Sequence, residues 1–238
     1  MAKQSSVTSI SIGVGLATGL YGISFGALSV AAGLDIWQTQ VLSLLMFSGG
    51  SQFAFVGVIA AAGGAGVGSA GVGAAIISAW LLGIRNGFYA VRLAPILNRV
   101  GLGKLIPAML TIDESTAVST SQDEHKNQVR GFWITGAAVF FFWNLMTLAG
   151  AILGDALGDP SVWGLDAAAA AAFLGLLWPR LKERQAVAVG ASALVIATAA
   201  TPFLSAGVPV LLAGVAAVVV GAFNFFAGKS KSPTGGAA

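Results

Sequence analysis

Long apolar runs alternate with short polar interruptions along this chain, and the runs are apolar on every side rather than in stripes. Such sequence reads as helix facing lipid, and about 20 residues of helix cross a hydrocarbon core about 30 Å thick. The pattern predicts a first helix over about Ser9 to Ala32, a second over about Gln38 to Ala62, a third over about Val72 to Pro95 and a fourth over about Gly131 to Leu153. A short fifth follows over about Trp163 to Trp178. The charge-free tract Gln185 to Gly228 is long enough for two more, divided between Thr201-Pro202 and Pro209. Glycine-rich residues 63–71 and the stretch Gly154 to Pro160 read as turns. An outer-membrane barrel would instead alternate apolar and polar residues in segments of about 10. The expected fold is therefore an all-α polytopic membrane protein with about seven transmembrane helices.

The most polar stretch, Asn98 to Arg130, separates two hydrophobic halves. This suggests a first three-helix half at 1–97, a polar central connector at 98–130, a second helical half at 131–228 and a disordered basic tail at 229–238. Each half has a long first helix, then a loop with an acid and a tryptophan (Gly33 to Trp37; Asp159 to Trp163), then an irregular or short second helix and a third. That outline is an inverted repeat of three helices with a broken second helix, the arrangement in which many secondary transporters bind their solutes. Basic clusters at 99–130, 180–184 and 229–231 are expected on the cytoplasmic side. Seven helices would then put the N-terminus outside, with Lys3 dissenting. If Leu102 to Leu110 dips into the membrane as an additional span, the N-terminus lies inside.

Composition agrees with the hydropathy, since 56% of residues are hydrophobic and only 9% charged, against about 25% in a soluble domain. The first apolar segment is too long for the core of a secretory signal. With no cysteine and a single histidine, His125, neither a disulfide nor a cysteine/histidine metal site can form, and no cofactor is expected. A pI near 9.5 could suggest nucleic acid, but in a membrane chain basic residues more often mark cytoplasmic loops, so no nucleic-acid partner is expected. Gly66 to Gly71 spells the dinucleotide fingerprint G-x-G-x-x-G, yet a membrane helix precedes it and no acid follows until Asp113, so it reads as a turn. No G-x-x-x-x-G-K-[ST] and no nucleophile–base pair is visible. The chain does not read as an enzyme, and an ion gradient, most simply of protons, is the expected energy source.

Candidate chemistry sits where polarity interrupts the runs. From Ile36 to Ile84 there is no charged residue, yet Ser48-Gly49-Gly50-Ser51-Gln52 falls in the middle, near the bilayer midplane. Backbone unwound at that depth is tolerated only against protein or a watery cavity, where its free N–H groups and hydroxyls could hold a carboxylate. The alternative is a continuous helix whose glycines admit a neighbour and whose Gln52 bonds across the bundle. Ser78, Arg85, Arg92 and Arg99 recur every seven residues with Tyr89 between them, forming one stripe. Arg92 and Arg99 can snorkel to the surface. Arg85 lies deeper, either as an interfacial anchor or paired with Asp113 or Glu114 as a coupling pair. In the first helix Thr8, Ser11, Gly15, Gly19, Gly22, Gly26, Ser29 and Gly33 make a ridge of small residues, repeated near the end of the chain by Gly207, Gly214, Gly221 and Gly228. Such ridges serve close helix packing or sliding. Asp166 and Asn144 are lesser candidates, and Phe140 to Trp143 read as lipid-facing or core.

Several segments together carry a family resemblance. Tyr21 to Leu28, Ala32 to Asp35, Phe47 to Phe53, Ile84 to Tyr89 and Leu110 to Ser115 occur in the order and spacing of the AzlC family, the large subunits of bacterial branched-chain amino acid exporters. The resemblance covers about Gly13 to Val118 and continues only as hydropathy beyond it. It implies a multi-pass permease of the bacterial cytoplasmic membrane that exports valine, leucine and isoleucine, with methionine at the edge of the range, together with a small AzlD-type membrane subunit. Where family members usually carry Asn-x-Arg-His this chain has Gly83-Ile84-Arg85-Asn86, which leaves the transport class intact and the substrate open. The site expected is Ser48, Gly49, Gly50, Ser51 and Gln52 for the amino acid backbone, Phe25, Phe47 and Phe53 for its apolar side chain, and Arg85, Asn86, Tyr89, Asp113 and Glu114 as gate or coupling group. A channel, or a structural subunit without its own transport cycle, is the alternative.

Overall fold

The computed structural model describes residues 6–64, 68–157, 174, 178, 181–182, 184–204 and 208–223. The predicted fifth helix with Asp166, the Asp159–Trp163 loop, Gly66 and Val67 of the G-x-G-x-x-G stretch, Gly207, Gly228 and the 229–238 tail lie wholly or largely outside these residues, whereas Ser69 to Gly71, expected in a turn, form the start of a helix. Among the described residues all regular structure is helical: α1 (Val7–Ala31), α2 (Ile36–Leu45), α3 (Gly49–Ala61), α4 (Ser69–Leu97), α5 (Leu105–Leu110), α6 (Asp113–Thr120), α7 (His125–Ala156), α8 (Arg184–Ala200) and α9 (Val208–Phe223). A 3-10 turn, Gly101–Lys104, leads into α5. Three of these helices, α1, α4 and α7, are long and apolar enough to cross a membrane.

The small-residue ridge of α1 packs against α7. A Cβ on Gly15 would strike Ala138, one on Gly19 would strike Phe142, and one on Gly26 would overlap the Thr147 carbonyl oxygen. From the other side, a Cβ on Gly150 would overlap the Ile23 carbonyl. The two backbones therefore touch over several turns, as small residues in membrane helices allow. Residue numbers rise together along the seam, so α1 and α7 run parallel. Val7 at the start of α1 lies beside Gly131 near the start of α7. The start of α1 therefore shares a face with the start of α7, where the basic connector ends, which differs from the orientation expected from seven helices.

The second predicted helix is broken where expected, and its two pieces fold back. Asp35 starts α2 with a capping box, accepting from the Gln38 N–H at 2.7 Å while Gln38 Oε1 accepts from the Asp35 N–H at 3.0 Å. After the break at Phe47-Ser48, α3 returns so that Gly64 lies against the carbonyl of Ala32, at the end of α1; a Cβ on it would sit 3.3 Å from that oxygen. A continuous helix from residue 35 to 64 would hold its ends about 44 Å apart. Residues 36–61 therefore form a re-entrant hairpin rather than a span. Its first arm is about 15 Å long, which takes the tip to mid-bilayer.

From that end α4 runs back, antiparallel to α1 and α7, and finishes at Asn98 in the left-handed region. Arg99 then stands 6.0 Å from the ring of Trp133 near the start of α7. The next segment dips inward and returns without crossing. Leu110 reaches Gly136, the chain turns at Thr111-Ile112, and α6 comes back with Val118 against Gly131. This second hairpin enters from the opposite face. Each hairpin thus follows a spanning helix, α1 then α2–α3, α4 then α5–α6, with opposite orientation. The inverted relation visible in the described residues has one helix plus one hairpin as its unit. Further along, α8 and α9 pack on each other, divided at Thr201 to Leu204 as the hydropathy predicts.

Candidate functional site

The two hairpin tips both lie beside α4 and α7 and line one cavity. Each break is stitched by a polar side chain from the helix that follows it. In the first, Gln52 donates from Nε2 to the carbonyls of Met46 (2.7 Å) and Ser43 (3.3 Å), and its Oε1 accepts from Trp143 Nε1 at 2.8 Å. In the second, the Ser115 hydroxyl donates to the Leu110 carbonyl at 2.6 Å and stands 3.1 Å from the Ile112 N–H. Backbone groups freed at bilayer depth need such partners.

Arg85, near the middle of α4, joins the tips. Its Nη2 lies 2.9 Å from Asp113 Oδ2 at the start of α6. The same nitrogen is 2.8 Å from where a Cβ on Gly50 would lie, so the guanidinium rests on the first turn of α3 in the space that glycine leaves open. Tyr89, one turn along α4, donates its hydroxyl to the other oxygen of Asp113. Glu114, the next residue, lies near both Arg85 and Thr18 of α1. The arginine pairing expected from the heptad stripe is therefore with Asp113.

Beside this cluster lies a cavity of about 460 Å³ lined by Phe47, Ser48, Ser51, Trp80, Asn86 and Met109, among others. Its volume falls within the range of small-molecule sites. The hydroxyls of Ser48 and Ser51 are 3.2 Å apart, and Ser48 does not cap α3 with its side chain. The first N–H groups of α3, those of Gly49, Gly50 and Ser51, thus lack an intrahelical or capping acceptor, and the positive end of the helix dipole points the same way. Arg85 Nε and Asn86 Oδ1 are buried without a hydrogen-bond partner among the described residues. Together these groups offer donors for an anion and an acceptor for a cation, next to apolar walls.

Of the residues singled out in the sequence, Phe47, Ser48, Ser51 and Asn86 line the cavity, and Gly49, Gly50, Arg85, Tyr89, Asp113 and Glu114 surround the ion pair at its edge. Gln52, Phe25 and Phe53 stand behind the break. Gln52 is fully buried and its amide is engaged on both sides. Phe25 stacks on Trp143 and Phe53 meets both rings edge-on, with ring centroids 5.7–6.2 Å apart. Asn144 bonds its own helix at the Phe140 carbonyl. Sequence reasoning missed Trp143 and Thr18. An indole N–H within an apolar helix must find an acceptor, and that signal points to Trp143.

Three membrane-length helices around two opposed, polar-tipped hairpins define a polytopic helical membrane protein. A family model described as AzlC protein matches residues 13–157, more than half of the chain, and the chain belongs to that family. The match runs from α1 to the end of α7, taking in both hairpins. Neither a curated protein nor a solved structure matches the chain.

Proposed function

We propose that this chain is the solute-binding subunit of a secondary exporter of branched-chain amino acids, valine, leucine and isoleucine with methionine at the edge, in the bacterial cytoplasmic membrane. The observation that carries the reading is the junction of two opposed hairpin tips at Arg85. An arrangement that can be approached from either face suits alternating access. The carboxylate of the amino acid takes the first turn of α3 and Arg85, competing with Asp113, and Ser48 and Ser51 add hydroxyl donors. The aliphatic side chain fits the apolar wall of Phe47, Trp80 and Met109.

The positive-inside bias assigns the face with Arg99, Lys104, Lys126 and Arg130 to the cytoplasm, so the α5–α6 hairpin is the inner gate and α2–α3 the outer one. The small AzlD-type partner is carried over from the family. It suits the ion pair at mid-depth, a third of which is uncovered by this chain alone and needs protein or water beside it.

The test is counterflow of labelled leucine in vesicles holding the chain with its small partner, preloaded with unlabelled leucine. Wild type should show transient accumulation, a carrier property that a channel lacks. Arg85→Ala should lower it at least about tenfold, less than a fully buried charge would, because the pair is partly open to solvent. Absence of counterflow in the intact complex, or an Arg85→Ala variant equal to wild type at equal yield, refutes the proposal.

A further inference from the structure

The seam between α2 and α7 carries more polarity than it satisfies. At about 100° per residue, Thr39, Gln40 and Ser43 share one side of α2, and Asn144 and Thr147 share one side of α7. The two sides face each other. The Ser43 hydroxyl lies 3.4 Å from that of Thr147, and Gln40 Nε2 lies 3.5 Å from the Asn144 carbonyl, both at the outer limit of hydrogen bonding. Thr39, Ser43 and Thr147 are fully buried, and Asn144 is 7% exposed. Three side-chain oxygens of the seam, Thr39 Oγ1, Gln40 Oε1 and Asn144 Oδ1, are buried without a hydrogen-bond partner among the described residues. A hydroxyl can turn its proton to its own helix, as Ser29 does to the Phe25 carbonyl at 2.8 Å. An amide oxygen only accepts, so Gln40 and Asn144 each leave the negative end of a dipole unanswered.

The charges around the seam point the same way. α2 ends at Leu45, two residues past Ser43, with no basic side chain in its last turn, so the negative end of its dipole lies beside the seam uncompensated. At the face from which α2 enters, Asp35 and Asp155 stand exposed. No basic residue occurs from Val7 to Ile84 or from Gly131 to Leu157, a range that takes in α1 to α3 and the part of α7 beside them. Oxygen ligands, a negative helix end and an acidic entrance suit a cation, and five side chains without a carboxylate suit one of single charge. We infer that Thr39, Gln40, Ser43, Asn144 and Thr147 form a binding site for a monovalent cation of the size of sodium, which ties the first hairpin to α7 while it is bound. The inference goes beyond the transport reading and stands without it.

The experiment measures equilibrium binding of radioactive sodium to the full chain, purified with its small partner in choline chloride at constant ionic strength. Wild type should bind sodium saturably, with displacement by unlabelled sodium and none by choline. Thr39→Val keeps the shape of the side chain and breaks no hydrogen bond, so a merely structural Thr39 predicts unchanged binding. As a ligand, its loss should raise the half-saturating sodium concentration at least about fivefold, while Thr39→Ser, which restores the oxygen, should stay within about twofold of wild type. Ser11→Ala removes another buried, unpartnered hydroxyl, on α1 away from the seam, and should leave binding unchanged. If Thr39→Val yields no folded complex, Gln40→Leu carries the same test with the same expected rise. Absence of saturable sodium binding in wild type overturns the inference, as does binding that the substituted seam leaves unmoved or that Ser11→Ala weakens equally. Sodium binding in a complex that shows no counterflow would count against the transport reading alone.

Discussion

Gln52→Leu removes the stitch of the first break while conserving most of the volume. Wild-type Gln52 makes two short hydrogen bonds, to the Met46 carbonyl at 2.7 Å and from Trp143 Nε1 at 2.8 Å, and a longer one to the Ser43 carbonyl at 3.3 Å. In a membrane interior a side-chain hydrogen bond is worth about 0.6 kcal/mol on average and about 1.7 at most. Buried donors left without partners cost about 1–3 kcal/mol. Leucine leaves the indole N–H of Trp143 and the Met46 carbonyl exposed to an apolar core, so the loss should be about 2–4 kcal/mol. Gln40→Leu is the matched control, because Gln40 makes only a marginal 3.5 Å contact with the Asn144 carbonyl and its own Oε1 already lacks a partner. That change should cost less than about 1 kcal/mol. Equilibrium unfolding of the purified complex in mixed micelles with increasing denaturing detergent, followed by tryptophan fluorescence, measures both. Trp143 should also redden in Gln52→Leu as its environment loosens. If the two variants unfold alike, Gln52 does not hold the break.

Two further expectations follow from the backbone packing. Gly26→Ala places a methyl group into the Thr147 carbonyl and within 2.6 Å of the Ala151 nitrogen, so the α1–α7 seam must part, at about 1–3 kcal/mol; Gly13→Ala, with nothing within 4 Å, should be neutral in the same unfolding assay, and equal losses at both positions would refute the seam. Because the chain has no cysteine, single cysteines can map the hairpins directly: residues 37 and 63 should react with an impermeant thiol reagent from one face and residues 121 and 126 from the other, whereas labelling of 37 and 63 from opposite faces would restore a continuous second span.

Much of the site was legible because burying polarity in lipid is expensive wherever it occurs. Ser48 to Gln52 interrupts an uncharged run, and that alone locates the break. Arg85 at depth demanded an acid, and Asp113 and Glu114 were the near candidates; the structure selects Asp113 for the ion pair. What stayed hidden was the contact of Gln52, Phe25 and Phe53 with Trp143. A glutamine beside two glycines has the same local sequence whether it meets solute or braces the break, and the distinction came from Trp143, far along the chain.

From the residues alone follow the membrane class, the helical secondary structure, the division of the last tract into two helices, and the glycine face of α1, because each depends on local hydropathy or on spacings of three and four. The folding back of α2–α3 and α5–α6, the parallel pairing of α1 with α7, and the shared face of their starts belong to tertiary structure. An apolar run with a polar centre has the same hydropathy whether it crosses the bilayer or turns round within it. Only contacts between distant segments, Gly64 on Ala32 and Val118 on Gly131, give that run its direction.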